Sequence, residues 1–196
     1  MFEYKFTAPA KKTNELWQEK TVHVLSGGFN IKNFDAFAVL GYLPKGIPLS
    51  LNFDTREATP IKGAIVYEAA GSGATAIKVK KQTPGLLFVA GDIIGNATQT
   101  TTVASVDKSN VAYDVINLNA AIGALSVDSA LLSGSEVGVG KILKATGLSY
   151  ADVTYKTGKT GVDCIIQAYE VKNKFLPYPL TTTQISEITS RFFVIV

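Results

Sequence analysis

A chain of 196 residues and 20.9 kDa can bury about 70% of the surface it exposes when unfolded, enough for a full core. Apolar residues make up 46% and charged residues only 18%, with Thr, Ser and Gly filling much of the remainder, a composition that favours a β-rich protein. The net charge of +3 comes from scattered lysines and two arginines, Arg56 and Arg191, which excludes the converging basic patch that a nucleic-acid partner requires.

Cys164 is the single cysteine, so no intrachain disulfide forms and stability must come from packing or partners. The opening residues lack the apolar core of a signal peptide. No run of about 18 apolar residues marks a membrane span, so no membrane partner is expected. Asn96-Ala97-Thr98 fits the glycosylation pattern by chance.

Residues 1–35 read as an extended N-terminal arm, with charge, Gly27-Gly28 and one short strand-like run, Thr21-Val22-His23-Val24-Leu25. Gly27-Gly28 lets such an arm turn. Trp17 and Phe29 are apolar in a polar stretch and must dock, on the chain's own body or on a neighbouring subunit.

Residues 36–133 read as the central β domain. Pro44-Lys45-Gly46 is a turn, proline presetting φ and glycine taking a positive one, and Pro48 confines this stretch to a rim beside an edge. Ala64-Ile65-Val66-Tyr67 is a compact strand, and Ile77 and Val79 alternate with Ala76, Lys78 and Lys80. Pro84-Gly85 turns the chain into Leu86-Leu87-Phe88-Val89. The pattern returns over 100–106 and again over 111–118, where Val111, Tyr113 and Val115 share one face and Ile116 and Leu118 the other. Short turns favour antiparallel pairing in a barrel or sandwich.

Residues 134–162 contain Gly134, Gly138, Gly140, Gly147, Gly158 and Gly161 and read as a linker or long loop. Residues 163–196 read as a small C-terminal β/α unit. It comprises a strand over 163–170, an extended Leu176-Pro177-Tyr178-Pro179-Leu180 and a helix of about eight residues opened by a Thr181–Gln184 capping box. The apolar strand Phe192-Phe193-Val194-Ile195-Val196 closes the unit and must be buried or paired.

Catalytic signals are weak. His23, the single histidine, lies between Val22 and Val24 with no serine elbow near it. One histidine and one cysteine are too few for a zinc site. Gly158-Lys159-Thr160 lacks a phosphate loop's first glycine, Val153 standing there. Asp92, Asp107, Asp114 and Asp128 sit in or beside turns, where aspartates cap their own backbone. Cys164 beside Ile165 reads as core filler. No catalytic residue, cofactor or metal is expected, and the chain reads as a non-enzyme. Tyr150, Tyr155 and Tyr178 are the surface aromatic candidates, for stacking on sugars or anchoring a protein.

Four segments carry a resemblance that covers most of the chain: Val24-Leu25-Ser26-Gly27-Gly28-Phe29-Asn30-Ile31-Lys32-Asn33, Leu43-Pro44-Lys45-Gly46-Ile47-Pro48-Leu49, Ala64-Ile65-Val66-Tyr67-Glu68 and Leu176-Pro177-Tyr178-Pro179-Leu180. The sequence resembles the head fibre and auxiliary capsid (decoration) proteins of tailed phages and prophages of gut Bacteroidetes. The resemblance implies a structural virion protein on the capsid surface, made in the bacterial host cytoplasm. It also implies a mainly β fold with a central β-barrel or β-tulip-like domain, and a homo-oligomer, often a trimer, bound to the major capsid protein. It brings no active site with it. The candidate oligomer or capsid contacts are Trp17 and Phe29 in the arm and Phe192 and Phe193 in the last strand. The alternative expectation is a carbohydrate-binding surface module that recognises glycans.

Overall fold

The computed structural model describes residues 15–81, 85–156, 160–180, 182–188 and 191–196. Among them the strands are β1 (His23–Ile31), β2 (Tyr42–Leu43), β3 (Pro48–Asn52), β4 (Glu57–Pro60), β5 (Gly63–Ile65), β6 (Ala76–Lys80), β7 (Ile93–Gly95), β8 (Gln99–Asp107), β9 (Tyr113–Leu118), β10 (Ala130–Ser133), β11 (Gly138–Val139), β12 (Gly147–Ser149), β13 (Val153–Thr154), β14 (Gly161–Lys172) and β15 (Phe192–Ile195). One short helix, α1 (Thr182–Glu187), and 3-10 turns at Glu19–Thr21, Phe34–Leu40 and Asn173–Phe175 complete the chain.

The fold is mainly β, as the composition indicates, and it contains a closed barrel. Five strands pair in the ring β1–β4–β3–β12–β14 and back to β1, with β15 added outside the ring along β14. The β3–β4 hairpin turns at Asn52, whose side-chain oxygen accepts the N–H groups of Asp54 and Thr55 at 3.0 and 3.1 Å, an Asx turn of the expected chemistry. Inside the ring lie Phe29, Phe37, Leu43, Leu49 and Cys164. Leu148, Ile165 and Val171 form a second apolar layer with Trp17 and Phe192.

A second sheet runs β5–β10–β7–β8–β9–β6 and curls into a half-barrel. Its core is Val66, Ile77, Val79, Phe88, Ile94, Ile116 and Leu131. The alternation expected over 76–80 is present, and that expected over 111–118 begins only at Tyr113, Val111 being exposed outside the strand; Ile77 lies opposite Ile116 and Val79 opposite Asp114. The two edge strands meet through a single bridge, Val66 to Val79. Outside that bridge the Tyr67 and Tyr113 rings pack 5.4 Å apart, and Lys78 pairs with Glu68 at 2.7 Å. A two-stranded sheet, β2 with β13, is separate.

Sheet membership cuts across the segment boundaries expected from the sequence. Residues 23–31, expected in the arm, are β1, a stave of the barrel, paired with β14 on one side and β4 on the other. Gly27-Gly28 falls where the register with β14 shifts between Leu25 and Phe29, so the glycines mark a bulge. The stretch 134–162 also contributes a stave, β12. Its Gly147 is there for space: a Cβ would lie 2.7 Å from the Ile165 carbonyl oxygen and 2.9 Å from the Leu51 side chain. The half-barrel is thus inserted between β4 and β12 of the closed barrel. Pro48, expected to hold this stretch beside an edge, instead opens β3, which is paired on both sides by β4 and β12; at the strand's first residue a missing N–H costs least. Leu86-Leu87-Phe88 forms no ladder, although its side chains alternate. Thr181, Pro84 and Gly158-Lys159 lie outside the described residues. Gln184, expected in a capping box, donates its side-chain amide to the Leu143 carbonyl at 3.0 Å.

The two bodies meet along a tight seam. Leu87 packs into the closed barrel, while Leu86 and Phe88 pack into the half-barrel. Tyr178 is fully buried, and its hydroxyl donates to the Gly85 carbonyl at 2.9 Å. Gly63 lies against the same ring, and a Cβ there would come within 2.6 Å of the Tyr178 Cβ. Substituting Gly63→Ala is therefore expected to cost about 1–3 kcal/mol by overpacking. Gly73→Ala, with nothing within 4 Å of the new methyl, should change stability by no more than about 0.5 kcal/mol. Urea unfolding of both variants measures the difference, and equal midpoints would show that the seam is loose.

Candidate interaction surface

Asn173 holds the chain after β14 in place. Its amide donates to the Leu180 carbonyl at 3.0 Å and its oxygen accepts the Leu180 N–H at 2.7 Å. The chain then crosses through α1 and returns as β15, parallel to β14, with Ala168 beside Phe192, Val171 beside Val194 and Lys172 beside Ile195. A four-residue strand with period two has two faces. Phe192 and Val194 pack inward against the layer of Ala168 and Val171. Phe193 is 57% exposed, Ile195 43%, Val196 90%, and Tyr169 on the neighbouring strand 49%.

Among the described residues, β14 is the only strand that pairs with β15. Among the described residues the opposite edge of β15 therefore has no strand partner, and it lies beside an apolar outer face. Protein edges are usually guarded by a lysine, a proline or a bulge. Residues 192–196 contain no charged side chain and no proline.

Of the four contact candidates, three are interior. Trp17 is buried, its indole N–H donating to Glu19 at 3.0 Å and the Lys45 ammonium lying 4.7 Å from its ring. Phe29 is buried in the closed barrel, with Phe53 edge-on at 5.5 Å and the Arg56 guanidinium at 5.0 Å. Both dock on the chain's own body. Phe192 faces the core as well. Phe193 is the one candidate that reaches solvent. The tyrosines expected at the surface are otherwise engaged. Tyr178 is in the seam, Tyr150 donates to Glu19 at 2.8 Å, and Tyr155 donates to Asp35 at 2.6 Å. The Glu19 carboxyl is held below its usual range by the Tyr150 hydroxyl, with Lys45 and the Trp17 N–H adding to it against a partial burial cost.

The four turn aspartates do not converge. Asp92 pairs with Lys62 at 2.6 Å and accepts the Val89 N–H at 2.7 Å. Asp107 accepts the Ser109 N–H at 2.9 Å, which with the Ser109 hydroxyl lowers its pKa. Asp114 pairs with Lys81 and Asp128 with Lys80. The cleft between the two bodies, about 500 Å³, holds the Lys62–Asp92 pair with Asn33, Asp35, Thr59 and Ser135. Lys62 also exchanges hydrogen bonds with Ser133 through its backbone, which extends the β5–β10 pairing by one residue, so its polar groups are taken up within the half-barrel. Among the described residues, no three His, Cys, Asp or Glu side chains are grouped to hold a metal. None of their helices is long and apolar enough to cross a membrane. His23 is exposed on β1.

Comparison with known proteins returns nothing: no family model, no curated protein and no solved structure matches this chain.

Cys164 is buried at the barrel's centre, and burial, with the Asp163 carboxylate adding to it, pushes its thiol up to about 12. Burial also raises the Tyr178 phenol. Each group ionises at a lower pH once the chain unfolds, so the stability they contribute is complete below about pH 8.5, the thiol's unfolded value, and is lost as pH rises through the folded values. Two outcomes are expected. The folded chain should resist a thiol reagent at pH 8 until denaturant is added. Its unfolding free energy should fall above about pH 9, less steeply in Cys164→Ala. Fast labelling of the native chain would contradict the burial of this thiol.

Proposed function

We propose that this chain is a structural virion protein, without bond chemistry, that attaches to the outside of a tailed-phage capsid and joins copies of itself and the shell through β surfaces. The observation that carries the reading is the open apolar edge of β15, where Phe193, Ile195 and Val196 face solvent. Such an edge is suited to adding a strand from another chain. The shell as partner rests on the resemblance in residues 24–33, 43–49, 64–68 and 176–180. Two bodies locked at a buried seam also suit a part that must stand on a surface without hinging.

The binding step is area burial and strand addition, so the expected measurement is association. The purified chain should co-sediment with shells assembled from the major capsid protein of the same genome. A truncation beginning at Glu15 keeps every described strand of both bodies and should stay folded, whereas removal of 1–35 would take β1 out of the barrel. The truncation is expected to bind shells about tenfold more weakly, a loss of about 1.4 kcal/mol. Equal binding would take residues 1–14 out of the contact. A full chain that stays in the supernatant at every concentration would end the virion reading.

A further inference from the structure

We infer that the open edge of β15 is completed by β15 of a second copy, antiparallel about a two-fold axis at Val194. The inference rests on the proposed function only in taking β15 as the edge through which copies meet. Three observations select this occupant. First, the edge is self-complementary. Centring the pair on Val194 sets Phe192 opposite Val196 of the second copy and Phe193 opposite Ile195 of the second copy, all apolar. An aromatic opposite a β-branched residue is a favourable cross-strand pair.

Second, the flanking charge permits it. Arg191 lies just outside that paired block, so the two-fold operation brings no like charges face to face. A two-fold contact is also the form in which one surface satisfies itself.

Third, the exposed area sets the strength. Phe193, Ile195 and Val196 leave on the order of 300 Å² of side chain uncovered, taking about 150–250 Å² for a fully exposed aromatic. Two copies then bury at most about 600 Å², below the roughly 1,200 Å² at which stable interfaces begin. The pair is therefore weak and concentration-dependent in solution. Copies held side by side on a surface experience millimolar effective concentrations, where such a contact closes. It is a two-fold pair, in place of the trimer that the resemblance implies.

Sedimentation velocity of the full chain over a wide concentration range tests this. The mass should move from 20.9 kDa to twice that value. Ile195→Lys, at an exposed position, should weaken pairing at least tenfold with an unchanged melting temperature. Val194→Cys should oxidise to a covalent dimer across the axis, and Phe193→Cys, which faces Ile195 of the second copy, should link far less. The truncation beginning at Glu15 should pair as the full chain does. A monomer at every concentration, a trimer, an Ile195→Lys variant that pairs normally, or equal linking by the two cysteine variants would overturn the inference. Loss of pairing in the truncation would also overturn it, because residues 1–14 would then supply the strand. A chain that pairs but ignores shells sinks the virion reading alone, and one that binds shells as a monomer sinks this inference alone.

Discussion

The seam around Tyr178 is the constraint on which the remaining architecture depends. Each body has its own apolar core, and the chain passes between them twice, once between β4 and β5 and once between β10 and β12. Two crossings alone would permit rocking. The Tyr178 ring fills the space left by the absent side chain of Gly63, and its hydroxyl reaches the Gly85 carbonyl. Leu86, Leu87 and Phe88 then point alternately into the two cores, so neither body can rotate without uncovering a large apolar side chain. Burying each such side chain stabilises by about 1.5–3 kcal/mol. The Lys62–Asp92 pair, with side chains 12% and 24% exposed, lines the cleft beside the seam and ties the chain before β5 to the chain before β7 within the half-barrel. Partly buried pairs repay little of their desolvation, so the aromatic and leucine contacts hold the bodies together.

This arrangement explains which parts of the sequence were legible. Period-two patterns over 76–80 and 113–118 lie in strands with one buried face, where a slip of one residue would invert every side chain. They read correctly. Glycine was the misleading residue. Gly147 and Gly63 look like flexibility in a sequence, yet each is present because another chain segment comes too close for a Cβ. Crowding by a residue distant in sequence leaves no local mark. Leu86-Leu87-Phe88 is the converse case: its alternation is that of a strand, but the alternation serves two cores and no ladder. The pairing of β1 with β14 joins residues far apart in the chain, so a stave of the barrel reads as an arm. The apolar run at 192–196 signalled a strand needing cover, and among the described residues one of its faces and one of its edges receive it.

The treatment of the other edges gives that open one its meaning. The closed barrel has no edge within its ring. The half-barrel's two edges, β5 and β6, are joined by the Val66–Val79 bridge and clasped outside by Tyr67 against Tyr113, with Lys78–Glu68 and Lys80–Asp128 pairs beside them. β2, β11 and β13 are two residues long, too short to template another chain. Edge protection is thus applied through much of the molecule by closure, by clasping, by charge or by brevity, each a recognised defence against unwanted pairing. β15 has none of these. A four-residue apolar strand left open in a fold that protects its other edges is an aggregation hazard if it stays bare, and that contrast with the guarded edges is the physical ground for the pairing proposed above.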